Sequence, residues 1–251
     1  AGQALKGKAR KILELRDETY RELADIKDFS IGQLTIGLSH TRGRMILPEI
    51  LPCYKERFPN IDLRLVEGNS STLASALLHG DVDLVIDMQP FKAENTETIP
   101  LCEEEILLAV PDAVLERTFP GRLEEIKEQL KQHTDLTLLR DCPFLLINKG
   151  NRVRTIADEM FEEAQMTPNI VLETETVLGL CIKGMGITFY PRMFISGHQE
   201  FRQKMQQQNS PVSFYSLDYA KAHGILAIGY HKGHYMSQAT KEFIRIAKET
   251  I

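Results

Sequence analysis

The chain has 251 residues, with 30 Lys and Arg against 35 Asp and Glu and a formal net charge of −5 at pH 7. That length can bury a large core in one or two domains, and the acidic balance disfavours a surface that coats nucleic acid, which needs clustered Lys and Arg. No apolar run approaches the roughly twenty residues of a membrane-crossing helix, and the charged N-terminal segment does not read as a signal peptide, so a soluble, cytoplasmic chain is expected.

Within residues 1–30, Leu5, Ile12, Leu15, Thr19, Leu23 and Ile26 form a narrow helical stripe among charged residues, the pattern of a helix that needs a partner. Gln33 to Leu38 is an apolar strand that stops at Ser39-His40-Thr41. Met45, Ile46, Leu47, Ile50, Leu51, Tyr54 and Phe58 then fall on helical spacing, Pro48 is assigned to the first turns, and Pro59-Asn60 ends the element. Ile61, Leu63 and Leu65 mark a second strand, Gly68-Asn69 breaks it, and the Ser70-Ser71-Thr72 hydroxyls are expected to cap a helix through Leu73, Ala76, Leu77 and Leu78. Gly80 closes that helix and Leu84-Val85-Ile86 is a third strand. This alternation predicts a parallel α/β sheet whose two turns, at one edge, set small hydroxyl residues at helix N-termini. Free N–H groups and the positive dipole end there suit a carboxylate, a phosphate or another polar ligand.

Further along, Ile106 to Val110 reads as a strand, Leu123 to Lys131 as a charged surface helix, and Phe144 to Ile147 as a buried strand. Asn148-Lys149-Gly150-Asn151 is a polar turn before a helix through Ile156, Met160 and Phe161. Strands at Ile170 to Leu172, Gly186 to Tyr190, Val212 to Leu217 and Gly224 to Tyr230 follow, with a short helix from Thr176 and a last helix capped by Ser237.

The wording of these segments is specific. Ile36-Gly37, Leu47-Pro48, Phe58-Pro59-Asn60-Ile61-Asp62-Leu63, Glu67-Gly68-Asn69-Ser70 and Leu77-Leu78-His79-Gly80-Asp81-Val82-Asp83-Leu84 resemble the effector domain of LysR-type transcriptional regulators. The resemblance runs on through Glu105 to Pro111, Pro143 to Ile147, Glu173 to Thr176 and Gly184 to Pro191, covering residues 31 to 251. It implies an α/β, two-lobed, periplasmic-binding-protein-like (type 2) fold, each lobe a mixed sheet flanked by helices. The implied layout is a linker and dimerisation helix at 1–30, effector lobe I at 31–109 and 231–251, and lobe II at 110–230. The resemblance also implies a fragment that starts inside the linker helix of a regulator, without its winged helix-turn-helix.

The implied effector site draws Ser39, His40, Thr41, Arg42, Ser70 and Ser71 from the first lobe, and Asn148, Lys149, Gly150 and Thr176 from the second. Hydroxyls and N–H groups would hold a polar or acidic head, with Lys149 or Arg42 supplying charge; Arg42 replaces an apolar residue usual in this turn of the family. The implied partners are a small-molecule effector such as an organic acid or other anion, a second copy in a homodimer or tetramer, and DNA only through the winged domain; no membrane, metal or cofactor is expected. A ligand that prefers one arrangement of the lobes would shift their equilibrium and alter protomer spacing.

The same residues argue against other classes. Gly37-Leu38-Ser39-His40-Thr41 lacks the final glycine of a nucleophile elbow, and Gly184-Met185-Gly186 precedes a strand where a dinucleotide fingerprint would follow one. Asp81 and Asp83, or His231 and His234, are too few for a metal site. Cys53, Cys102, Cys142 and Cys181 form no disulfide framework; redox-sensing members of the resembled family make Cys142 and Cys181 the thiols to watch, against the plainer reading of buried, inert cysteines. An uptake-system solute-binding protein is the alternative function, with the amphipathic first helix and the unpaired cysteines against it.

Overall fold

Residues 8, 9, 12, 13, 15, 16, 19, 32–91, 93, 95–197 and 211–251 are described by a computed structural model. They fall in two compact units, the first made of 1–102 and 226–251 and the second of 103–225. The units divide inside two long strands, at 102/103 and 225/226, where the sequence placed the lobe boundaries at 109/110 and 230/231.

In the first unit, β1 (Gly32–Leu38) pairs in parallel with β2 (Ile61–Glu67) and with β3 (Leu84–Met88). The far side of β3 takes β9 (His223–His231) antiparallel, Val85 facing Gly229. Each parallel connection carries a helix. The first, α1, spans His40–Arg57, so Pro48 lies in its interior rather than its first turns, with Pro52 one turn on. Both prolines are exposed, so the carbonyls they leave without a donor face water and the helix continues. The second, α2 (Ser70–Leu78), is capped by Asn69, whose side chain accepts from Thr72 N at 2.9 Å, and not by the serines. Gly80, at φ 69°, ends it as expected, with Asp81 N donating to Ala76 O at 2.9 Å. The last helix, α8 (Gln238–Thr250), has the predicted Ser237 cap and packs on α1. Tyr54 makes the join: its hydroxyl donates to Ala239 O at 3.0 Å and its ring meets Phe243 edge-on at 5.6 Å.

In the second unit, β4 (Thr96–Pro111) pairs antiparallel with β7 (Thr188–Pro191) and β8 (Val212–Ser216) through its residues 106–111. The helix α3 (Asp112–Thr118), unforeseen in the sequence, precedes the expected charged α4 (Leu123–Gln132). A parallel pair, β5 (Pro143–Leu146) and β6 (Asn169–Glu173), is joined by α5 (Arg152–Glu163), and α6 (Val177–Ile182) and α7 (Arg192–Gly197) flank β7. A Cβ on Gly186 would stand 2.8 Å from Pro143 O, the acceptor of Ile187 N, so only glycine lets β5 and the start of β7 meet.

Near the N-terminus Lys8, Ala9, Ile12, Leu13, Leu15, Arg16 and Thr19 are helical, and Ile12 and Leu15 are 68% and 65% exposed. Leu5, Leu23 and Ile26 of the predicted stripe lie outside the described residues. Among the described residues, no helix is long and apolar enough to cross a membrane.

Candidate functional site

The register of β1 on β2 sets Leu38 beside Glu67, so the turns after these strands are neighbours. They carry Ser39, His40, Thr41 and Arg42 on one side and Ser70 and Ser71 on the other: the first unit gathers its six predicted residues along one sheet edge. Ser39 is the N-cap of α1, its Oγ accepting from Arg42 N at 3.3 Å. His40 Nδ1 lies 3.1 Å from Glu67 Oε1, Thr41 is half-buried, and Ser71 Oγ donates to Asn69 Oδ1 at 2.7 Å. The hydroxyl of Ser71 is thus held by the cap residue.

Arg42 behaves differently from a solvent-facing arginine. It is 4% exposed, and its Nη1 lies 2.6 Å from Asp87 Oδ1, an oxygen that also accepts from Met88 N at 2.8 Å. A carboxylate near the C-terminal end of β3 therefore compensates the charge that the sequence reading offered to a ligand. The signal available in the sequence was an aspartate inside an apolar strand, since buried acids are almost always paired.

The second unit repeats the arrangement. Leu146 is aligned with Glu173, which makes neighbours of the turns after β5 and β6. Asn148 and Lys149 are exposed in the first of them, and Gly150 takes φ 91°, a left-handed conformation that glycine supplies without strain. Asn151 caps α5 by accepting from Val153 N at 2.9 Å. Thr176 is exposed at the N-terminus of α6, where its hydroxyl meets Thr174 Oγ1 at 3.2 Å and makes no capping bond. Two basic residues of α5 escaped the sequence reading: Arg152, whose Nε is buried without a hydrogen-bond partner, and Arg154, 4% exposed.

A family model for the LysR substrate binding domain matches residues 28–251. The chain belongs to that family. This LysR substrate-binding domain is 25% identical over 254 residues to the HTH-type transcriptional regulator YcgK of Bacillus subtilis, covering 97% of the chain and 75% of YcgK. It is 27% identical over 218 residues to the regulator YybE of the same organism, covering 84% of the chain and 66% of YybE. Among solved structures, the CcmR regulatory domain of Synechocystis PCC6803 in complex with 2-PG superposes with a TM-score of 0.69 at 17% identity, over 87% of this chain and 96% of that one. The effector-binding domain of QuiR in complex with shikimate gives 0.65 at 19% identity, with the same coverages. These likenesses show the expected α/β, periplasmic-binding-protein-like fold, and the family is one of regulatory domains rather than enzymes.

The other chemistry weighed on the sequence resolves into structure. Asp83 Oδ2 accepts from Thr35 N at 2.7 Å, tying the strand entry to β1, and the rings of His231 and His234 stack at 4.0 Å. In the second unit an open groove of about 690 Å³ is lined by Glu103, Glu105, Arg192 and His223 among others, with Arg192 Nε 2.6 Å from Glu105 Oε2; none of the ten predicted site residues lines it.

Cys142 and Cys181 are both fully buried. Burial pushes the Cys142 thiol up, and burial pushes Cys181 up to about 12, its Sγ donating to Ala109 O at 3.5 Å. Reaction requires the thiolate, so a disulfide reagent at pH 8 is expected to modify half-exposed Cys53 and Cys102 about a hundredfold faster than this pair. Mass mapping of the first labelled sites checks it; early labelling of Cys142 or Cys181 would restore the redox reading.

Proposed function

We propose that this LysR substrate-binding domain senses a small molecule that carries an anionic group, with the paired turns of each unit as its contact surfaces. One observation carries the reading: at both edges two helix N-termini stand side by side, and α1, α2, α5 and α6 have no acidic residue in the first turn. Of the other helices, α3 carries Asp112 and α4 carries Glu124 and Glu125 in the first turn, while α7 and α8 carry none. An acid at a helix N-terminus would repel an anion from the free N–H groups, and its absence leaves the dipole to act on a ligand. Lys149 and Arg152 add positive charge in the second unit. The complexes of CcmR with 2-PG and of QuiR with shikimate, a carboxylate, support this chemistry. In our reading the full regulator is a homodimer or tetramer that binds DNA through a winged helix-turn-helix, and effector binding shifts the equilibrium between its states by the ligand's differential affinity for them.

A thermal-shift screen of the purified chain against small organic acids, amino acids and nucleotides tests it. An acid present at a hundred times its Kd stabilises by about 2.7 kcal/mol, a rise of about 5–10 °C for a chain of this size. Thr41→Ala, Ser70→Ala and Lys149→Ala are each expected to reduce that rise. A compound that stabilises all three as well as the wild type would put its site elsewhere.

A further inference from the structure

Arg154 occupies an unusual place for a buried cation. It is the third residue of α5, in the first turn, where the helix dipole disfavours positive charge. It is nonetheless 4% exposed, and two of its nitrogens are engaged: Nε donates to Asp158 Oδ1 at 2.8 Å, and Nη1 reaches Ile147 O at 3.1 Å and Glu173 Oε1 at 2.9 Å. Burial works against the charge, but Asp158 and Glu173 outweigh it and hold the guanidinium protonated. Two of these contacts are informative by position. Ile147 O is the last carbonyl before the Asn148–Gly150 turn, and Glu173 ends β6 just before Thr174 and Thr176.

The backbone between these points is itself lightly tied. Thr174 N donates to Leu146 O at 3.0 Å, Thr176 N to Thr174 Oγ1 at 3.3 Å, and Asn151 N to Asn148 O at 3.3 Å. Nη1 alone meets both strand ends, and Nε, bound to Asp158 one turn along α5, fixes the plane of the guanidinium so that Nη1 stays between them, an anchor that a lysine ammonium lacks. The first unit places an arginine at the corresponding position: Arg42, third residue of α1, is also 4% exposed and reaches Asp87 on a neighbouring strand.

We propose that Arg154 is a positioning residue that sets the separation and order of the two turns carrying Asn148, Lys149, Gly150 and Thr176. Its importance for ligand recognition rests on the effector-site reading above; the positioning itself does not, because it is measured on ligand-free protein.

The test is amide hydrogen exchange on the whole chain with Arg154→Lys and Arg154→Met. In Arg154→Lys, which keeps the charge and loses the Nε anchor to Asp158 that holds Nη1 in place, Asn151, Thr174 and Thr176 are expected to exchange at least tenfold faster. Leu107 to Ala109, in the pairing of β4 with β7, are expected to stay within twofold of the wild type. Arg154→Met is expected to loosen the same turns further; should it fail to fold, the lysine variant decides. Wild-type protection of the turns in Arg154→Lys, or equal acceleration throughout the second unit, would overturn the proposal, since the first denies the anchored guanidinium its role and the second is a plain loss of stability. Failure of the effector reading shows separately, as a ligand-induced rise in melting temperature that survives Lys149→Ala.

Discussion

Asp87→Ala is expected to destabilise the first unit by about 3–5 kcal/mol, the cost of removing one partner from a buried ion pair. The side chains of Arg42 and Asp87 are 5% and 8% exposed, and the substitution takes away the carboxylate that a desolvated guanidinium faces at 2.6 Å. Arg42→Met combined with Asp87→Leu removes both charges and fills the space with apolar side chains, so it is expected to recover most of that loss. Urea unfolding monitored on the wild type, the single variant and the double variant checks the pair. A single variant within 1 kcal/mol of the wild type, on the scale set by buried pairs, would mean that Asp87 is not what makes the buried Arg42 tolerable.

Phe144→Ala is expected to cost the second unit a similar 3–5 kcal/mol. Phe144 has no exposed surface and stands 5.1 Å from Phe161 at 86° and 6.3 Å from Phe189 at 16°, while Phe161 meets Phe189 at 5.6 Å and 80°. This triangle joins β5, α5 and β7, so truncating one ring removes transfer free energy and opens a cavity that three elements border. At the 2–4 °C per kcal/mol typical of domains of about 150–250 residues, calorimetry should find the transition roughly 10 °C lower. A loss of under 1 kcal/mol would require the neighbouring rings to have collapsed into the space.

Local signals made the first unit legible. The β1–α1–β2–α2–β3 run is written in apolar periodicity, in Gly80 and in turn residues that act on their immediate neighbours. Where distant pairing decides, the sequence is silent. Residues 96–105 of β4 include Pro100 and three consecutive glutamates, poor strand formers, and form a strand because tertiary context overrides propensity. Thr41, Ser70, Lys149 and Thr176 fall at the predicted strand ends because the α/β alternation puts them there. Asp87 and Glu173 are not legible as partners of the two buried arginines because they lie on later strands, and only the folded sheet brings them to α1 and α5. Asn69 was passed over as a cap for a different reason: three hydroxyl residues follow it, and sequence alone does not show which of four good caps takes the extended backbone.

The division of the chain at 102/103 and 225/226 has a consequence for biosynthesis. The second unit is contiguous and is wholly translated before the first has received β9 and α8. Until 226–251 emerge, β3 lacks its antiparallel neighbour and Tyr54 lacks the Ala239 carbonyl 185 residues downstream. Translation therefore finishes the guest before the host, and a ribosome that stalls within 226–251 holds a completed insert on an unfinished frame.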